Sequence, residues 1–413
     1  MQKENLVHDQ NFFQLASIIC APLALPVIIV GAQLAEKFGA GTAIGSIFVG
    51  NLILWLIGIT MISMPEKDRI NAIENVKNYL GNSGKILVAL VLIFAFLNWY
   101  ILEISSATIA LDSMFQFDHG GRLLNLTGVG ATFGLLSAFL AIGGILLIKR
   151  MALISMPFMI LYHVYVIFIS DVSVLAKGGF GLSFIGVVST VLVLLPGMVN
   201  LPTIFRHSRS KADSYLALTF IALFTSFFEI STIWMKFSGY SEFDLNAGYF
   251  VIPTSVFILL TLINSNLLNI YFASACWEAF IPKIASAKGY SIIGFVGTAA
   301  YIFIQKPFET LFFRDLANSY IATLGAVLLI AFLIRMIVRY RPRVFEKTIN
   351  GIAWLVGSIV ATILKIQNPE QGIQSLLAGI GASVLFFLCV IFVEEMVWSI
   401  RKISIEKTGR QTL

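Results

Sequence analysis

Apolar residues in this chain fall into repeated runs of eighteen or more, separated by short polar connectors. That is the length a helix needs to cross about 30 Å of hydrocarbon. A window of about 19 residues predicts twelve spans, at 12–35, 41–63, 86–111, 128–148, 151–170, 180–201, 214–236, 248–274, 289–305, 316–338, 350–366 and 376–399. The connector from Pro65 to Lys85 carries Ile70, Ile73, Val76, Tyr79 and Leu80 at helical spacing, which predicts an amphipathic helix lying on the membrane surface. The polar stretch Met1 to Asn11 leads into a run with no small-residue cleavage pattern, so the first run is expected to stay in the membrane. No connector leaves room for a soluble domain.

Composition fixes the class. Of 413 residues, 58% are hydrophobic and 12% charged, with mean hydropathy +0.89, whereas soluble domains run at ~45–50% apolar and ~25% charged. A water-soluble fold is excluded, and an all-α, multi-pass membrane protein is expected. Cys20, Cys276 and Cys389 lie inside apolar runs and read as small apolar residues, not as a disulfide or metal set. With a cytoplasmic N-terminus, 21 of the 28 Lys and Arg residues fall on the inner side and seven on the outer. This bias predicts both termini in the cytoplasm, most simply in a bacterial cytoplasmic (inner) membrane. It also explains the net charge of +6 without a nucleic-acid or acidic partner.

Transporters built from inverted repeats bind substrate where corresponding helices of the two halves unwind near the midplane. Span 1 contains Cys20-Ala-Pro-Leu-Ala-Leu-Pro26, and span 6 contains Leu195-Pro-Gly197 followed by Asn200-Leu-Pro202. Each proline removes a backbone hydrogen bond, which predicts unwinding around Ala21–Pro26 and Pro196–Asn200. Spans 1 and 6 are five apart. That offset predicts a 5+5 inverted repeat of the LeuT-like kind, with repeat one at 12–171, repeat two at 180–338, and two appended helices at 350–399, all within one transporter domain over 1–413.

Polar groups inside spans are costly and mark function or interhelical contacts. Span 3 places Trp99 and Glu103 four apart on one helical face, and span 8 carries Asn264, Ser265, Asn266 and Asn269, the densest amide cluster of any span. Spans 3 and 8 are again five apart. Amides and a carboxylate beside an indole suit a flat polar heterocycle, with a face to stack and donors and acceptors on its edge. Interhelical hydrogen bonding is the competing explanation for the asparagines. His163 and Glu229, also within spans, read as structural residues of the bundle interior. Spans 1, 6 and 8 hold no Lys or Arg to pair with Glu103.

Four stretches, in order, resemble the nucleobase:cation symporter-1 family of cytosine, purine, allantoin and hydantoin permeases. They are Gly31-Ala-Gln-Leu-Ala-Glu-Lys-Phe-Gly39 with Val49-Gly-Asn-Leu-Ile53, Trp99-Tyr-Ile-Leu-Glu103, Leu201-Pro-Thr-Ile-Phe-Arg206-His-Ser-Arg-Ser210, and Asn269-Ile-Tyr-Phe-Ala-Ser274. The resemblance implies a symporter in which Trp99 stacks on the substrate while Glu103 and Asn269 contact its edge; Asn266 and Gly197 complete the expected substrate-binding set. It also implies a sodium ion held near Ala21, Ala24, Ile263, Asn264 and Ser265, and only Ser265 among these offers a hydroxyl; a hard cation wants oxygen ligands, which Asn264 can also supply. Coupling by a proton on Glu103 is the rival. Many members place a second stacking Trp in helix 6, where this sequence reads Val193-Leu194-Leu195, and an Asp where it has Thr203.

No His/Cys ligand set, phosphate-binding Gly-rich loop or Ser/His/acid arrangement is present, so no enzyme is expected, and no cofactor beyond the coupling ion. The expected partners are a small heterocyclic substrate and membrane lipid. A carrier of amino acids or amines on the same repeat fold is the alternative; such carriers typically hold a carboxylate at a Gly-rich helix-1 break, whereas span 1 here breaks at prolines. A channel or receptor would need no coupling ion.

Overall fold

The computed structural model describes residues 9–65, 70–115, 122–169, 179–237, 251–278, 280–284, 286–304, 311–337, 346–369 and 371–410. The chain divides into two compact units, Met1–Asn75 with Lys85–Ala317, and Val76–Gly84 with Asn318–Leu413. This division cuts the expected second repeat, because most of its last helix clusters with the two appended ones.

In the first unit, α1 (Phe12–Cys20) starts at a capping box: Asn11 Oδ1 accepts from the Gln14 N–H (3.0 Å), and Gln14 Oε1 accepts from the Asn11 N–H (3.3 Å). After a turn at Ala21–Leu23 the chain resumes as α2 (Ala24–Phe38), with Pro26 in the first turn, where a missing N–H costs nothing. Then come α3 (Ala40–Ser63), α4 (Ala72–Phe115), α5 (Arg122–Ala141) and α6 (Gly144–Ile169). The second half holds α7 (Phe184–Val199), α8 (Leu201–Phe205), α9 (Lys211–Phe237), α10 (Val251–Glu278), a 3₁₀ turn at Pro282–Ile284 and α11 (Ala287–Phe303). The second unit is built on α12 (Leu311–Ile337), α13 (Glu346–Gln367) and α14 (Gly372–Arg410). Eight helices among the described residues are long and apolar enough to cross a membrane. The outward-facing Phe48, Leu56, Phe139, Leu161 and Leu385 are exposed, as lipid-facing positions would be.

Three features differ from the sequence reading. The turn expected near Lys149-Arg150 lies at Ile142-Gly143, and both basic residues sit inside α6. Gly144 supplies the positive φ (60°) that the turn needs, and a hydropathy window cannot see a turn that small. The amphipathic segment does form a helix, with Ile73, Val76, Tyr79 and Leu80 all packed into protein. Within the second unit, Arg335 stacks over the Tyr79 ring (4.3 Å) and bonds Glu346 (2.7 Å), while Asn350 donates to the Tyr79 carbonyl (2.9 Å). Gly81, at φ 74°, then turns the chain into the long apolar part of α4. Finally, α7 runs through Pro196 and breaks only at Asn200 (φ −95°, ψ 2°), at the end of the expected window.

Candidate substrate and ion site

Helices α4 and α10 are joined by one side-chain bond deep in the first unit: the Ser265 hydroxyl donates to Glu103 Oε1 at 2.8 Å. Glu103 is 2% exposed, and its other oxygen, Oε2, has no partner within the protein. One turn before it, Trp99 is half-buried on the same face. The helices are brought close by apolar contact, with Phe96 against Phe272 (ring centroids 5.1 Å), and α4 is fixed from behind by the buried Tyr100, whose hydroxyl donates to the Gly134 carbonyl on α5 (2.7 Å).

Successive residues of α10 turn to different neighbours. Asn264 Nδ2 donates to Ser155 Oγ on α6 (2.7 Å) and to the Leu260 carbonyl (2.7 Å), leaving Asn264 Oδ1 without a partner. Asn266, fully buried, has no protein partner for either amide atom. A buried amide left unpaired costs about 1–3 kcal/mol, so it is retained for something other than stability. Asn269 is half-buried one turn on, as is Ile263 beside Asn264. Of the expected ion-site residues, Ala21 is buried at the α1–α2 turn, where its N–H donates to the Ser17 carbonyl (2.9 Å), and Ala24 opens α2. Asn264 and Ser265 are thus engaged with α6 and α4 respectively. Gly197 is exposed near the end of α7, and its carbonyl accepts from the Asn200 N–H (3.2 Å).

Two further buried polar residues were missed in the sequence. Asn200, fully buried at the α7–α8 break, accepts from the Thr203 hydroxyl (2.8 Å) and leaves its Nδ2 unpaired. Ser155 holds Asn264. The break itself was a signal for Asn200; nothing in the sequence singled out Ser155.

The stretch from α8 into α9 closes one end of this unit. Arg206 donates to the Tyr271 hydroxyl (3.1 Å) and to Glu278 Oε2 (3.3 Å), and Tyr271 also bonds His207 Nε2 (2.6 Å). Burial works against the Arg206 charge, but Tyr271 and Glu278 outweigh it and hold the guanidinium above its usual range. The Gln10 N–H donates to the His207 carbonyl (3.1 Å) and the Arg209 N–H to the Gln10 carbonyl (2.9 Å), pinning the chain before α1. Asp213 accepts from the Phe12 N–H (3.2 Å), the Ser210 hydroxyl (2.7 Å) and Arg209 Nε (3.1 Å).

No family model matches the chain, and no curated protein sequence does. Solved structures do. The structure of Mhp1, a nucleobase-cation-symport-1 family transporter, in a closed conformation with bromovinylhydantoin bound, superposes with a TM-score of 0.66 at 17% identity, covering 95% of this chain and 94% of that one. The two share a fold. A Na+-coupled sialic acid symporter in a substrate-bound outward-open state is similar at TM-score 0.64 and 13% identity (92% and 89% covered). The manganese transporter of Eremococcus coleocola is similar at 0.60 and 12% (97% and 95% covered). The fold shared with these proteins covers 92–97% of this chain, while the cargoes of the three differ.

Proposed function

We propose that the chain is a cation-coupled secondary transporter of a nucleobase or a related heterocycle, working by alternating access. In this reading twelve spans form a 5+5 inverted repeat plus two appended helices, both termini are cytoplasmic, and the membrane is a bacterial inner membrane. The carrying observation is the buried, partly unpaired polar set of Glu103 Oε2 and the Asn266 amide on two helices already tied by Ser265. Such a set offers both donors and acceptors to a ring edge, and Trp99 offers it a face. Mhp1, with a hydantoin bound, supports the same substrate class. Among the described residues no three His, Cys, Asp or Glu side chains come together as a metal-binding group, so the cargo of the manganese transporter is not carried over. Glu103 is assigned the coupling proton or a substrate contact, and Asn264 Oδ1 and the Ser265 hydroxyl are assigned to sodium on α10.

Thermal denaturation of the purified protein with nucleobases, hydantoins, pyrimidine vitamins and amino acids, with and without sodium, tests the proposal. A heterocycle that binds the native state raises Tm by mass action. Stabilisation by amino acids alone would move the chain to the alternative class. With the stabilising compound in hand, Glu103→Gln in proteoliposomes is expected to bind and exchange it but to lose accumulation driven by a pH gradient. Full concentrative uptake by that variant leaves Glu103 a substrate contact and returns coupling to sodium.

A further inference from the structure

A second buried carboxyl lies outside this site. Glu229, fully buried midway along α9, accepts through Oε2 from Asn51 Nδ2 on α3, and Asn51 is itself 3% exposed. Glu229 Oε1 has no partner within the protein, nor does the hydroxyl of Thr225, buried one turn earlier on the same face. The packing leaves no slack: a Cβ at Gly31 of α2 would collide with the Glu229 carbonyl and the Thr232 hydroxyl.

Among the described residues no cation balances this acid. Helices α1, α2, α3 and α6 pack on α9. Of these, α3 carries no titratable side chain, and α1 contributes only the buried Cys20. Glu36 and Lys37 of α2 are exposed, five and six residues past Gly31. On α6, Lys149 and Arg150 lie in the first two turns, and Tyr162, His163 and Tyr165 lie towards the far end. The His163 ring stacks on Phe228 (4.5 Å between centroids) and its Nδ1 meets the Ser231 hydroxyl, on a different face of α9 from Glu229. On α9 itself, Lys211, Asp213 and Tyr215 belong to the first two turns, and Lys236 follows two turns after Glu229, about 10 Å along the axis. A carboxylate in such surroundings is an uncompensated buried charge, which proteins relieve by pairing, metal ligation or protonation. One amide donor does not neutralise it.

We propose that Glu229, held by Asn51, is a proton-binding site separate from the Glu103 site. In the packed arrangement of α2, α3 and α9 it is a carboxylic acid. When water enters between these helices, it releases H+ to that water and becomes the carboxylate. In the repeat proposed above, each acid links a pair of spans five apart: Glu103 of the third with Ser265 of the eighth, and Glu229 of the seventh with Asn51 of the second. The role of this proton in transport rests on the transporter reading; the existence of the proton site does not.

The test needs no substrate. Infrared difference spectra of the reconstituted full-length protein in D2O, over a pH series from acid to alkaline, read protonated carboxyl groups through their C=O stretch. The expected result is a titrating band that is lost in Glu229→Gln, kept in Glu103→Gln, and shifted in frequency in Asn51→Ala. Should Glu229→Gln fail to fold, the Asn51→Ala shift and the band kept in Glu103→Gln carry the test. A spectrum in which no band responds to pH once Glu103 is replaced, or a band that follows sodium against potassium instead of pH, overturns the proposal. Either outcome leaves the heterocycle reading standing, because that is judged by ligand-induced stabilisation.

Discussion

Two polar regions of the first unit are built in opposite ways. Where the chain before α1 meets the α8–α9 stretch, the buried charged groups are engaged: Asp213 accepts from a backbone N–H, a hydroxyl and Arg209, and Arg206 is shared between Tyr271 and Glu278, while the side-chain amide of the buried Gln10 has no protein partner. Between α4 and α10 the polar atoms are as deeply buried, yet Glu103 Oε2, Asn264 Oδ1 and both Asn266 amide atoms lack protein partners. The first arrangement lowers the energy of the folded chain; the second raises it. Unpaired polar groups in an apolar interior are kept only where they meet something other than protein. For the charged groups, the contrast therefore separates an end that holds the fold from a middle that binds.

The contrast predicts effects of different kinds, and the largest falls at the paired end. Asp213→Ala removes the acceptor shared by the Phe12 N–H, the Ser210 hydroxyl and Arg209, and is expected to cost about 1–3 kcal/mol of stability, read as a lowered Tm of the detergent-purified protein. An unchanged Tm would break the comparison. Trp99→Ala removes the stacking face and is expected to weaken heterocycle binding by about 1–3 kcal/mol in a direct binding assay, with expression unchanged. Asn266→Ala sharpens the point, because the side chain has no protein partner to lose. Its Tm is expected to hold or rise, while affinity falls by about 1–2 kcal/mol; a lowered Tm with intact affinity would make Asn266 a structural residue. The smallest effect belongs to Glu278→Ala, since this carboxylate is 42% exposed in its ion pair with Arg206. Exposed pairs contribute about 0–1 kcal/mol, so its Tm should lie close to wild type.

Much of the architecture was legible in the sequence. The apolar runs, the proline-marked breaks and the scarcity of intramembrane charge each follow from local chemistry: hydrocarbon admits few ionised groups, and proline cannot donate to a helix. Glu103 and the asparagine cluster stood out for the same reason, and of the break expected over Pro196–Asn200 only its last residue, Asn200, leaves the helix. The Ile142-Gly143 turn escaped because two residues do not alter an average over about 19.

What the sequence by itself determined is the class of the chain, its apolar segments, and the short list of buried polar residues. Tertiary structure alone decided which of those residues have partners. Ser265 and its neighbour Asn264 read identically as polar groups in an apolar run. Each step along a helix turns the side chain by about 100°, which sends Ser265 to Glu103 on α4 and Asn264 to Ser155 on α6. Asn51 and Glu229 meet across 178 positions of sequence. A partner so distant is set by how the helices cross, and no local pattern of residues encodes it.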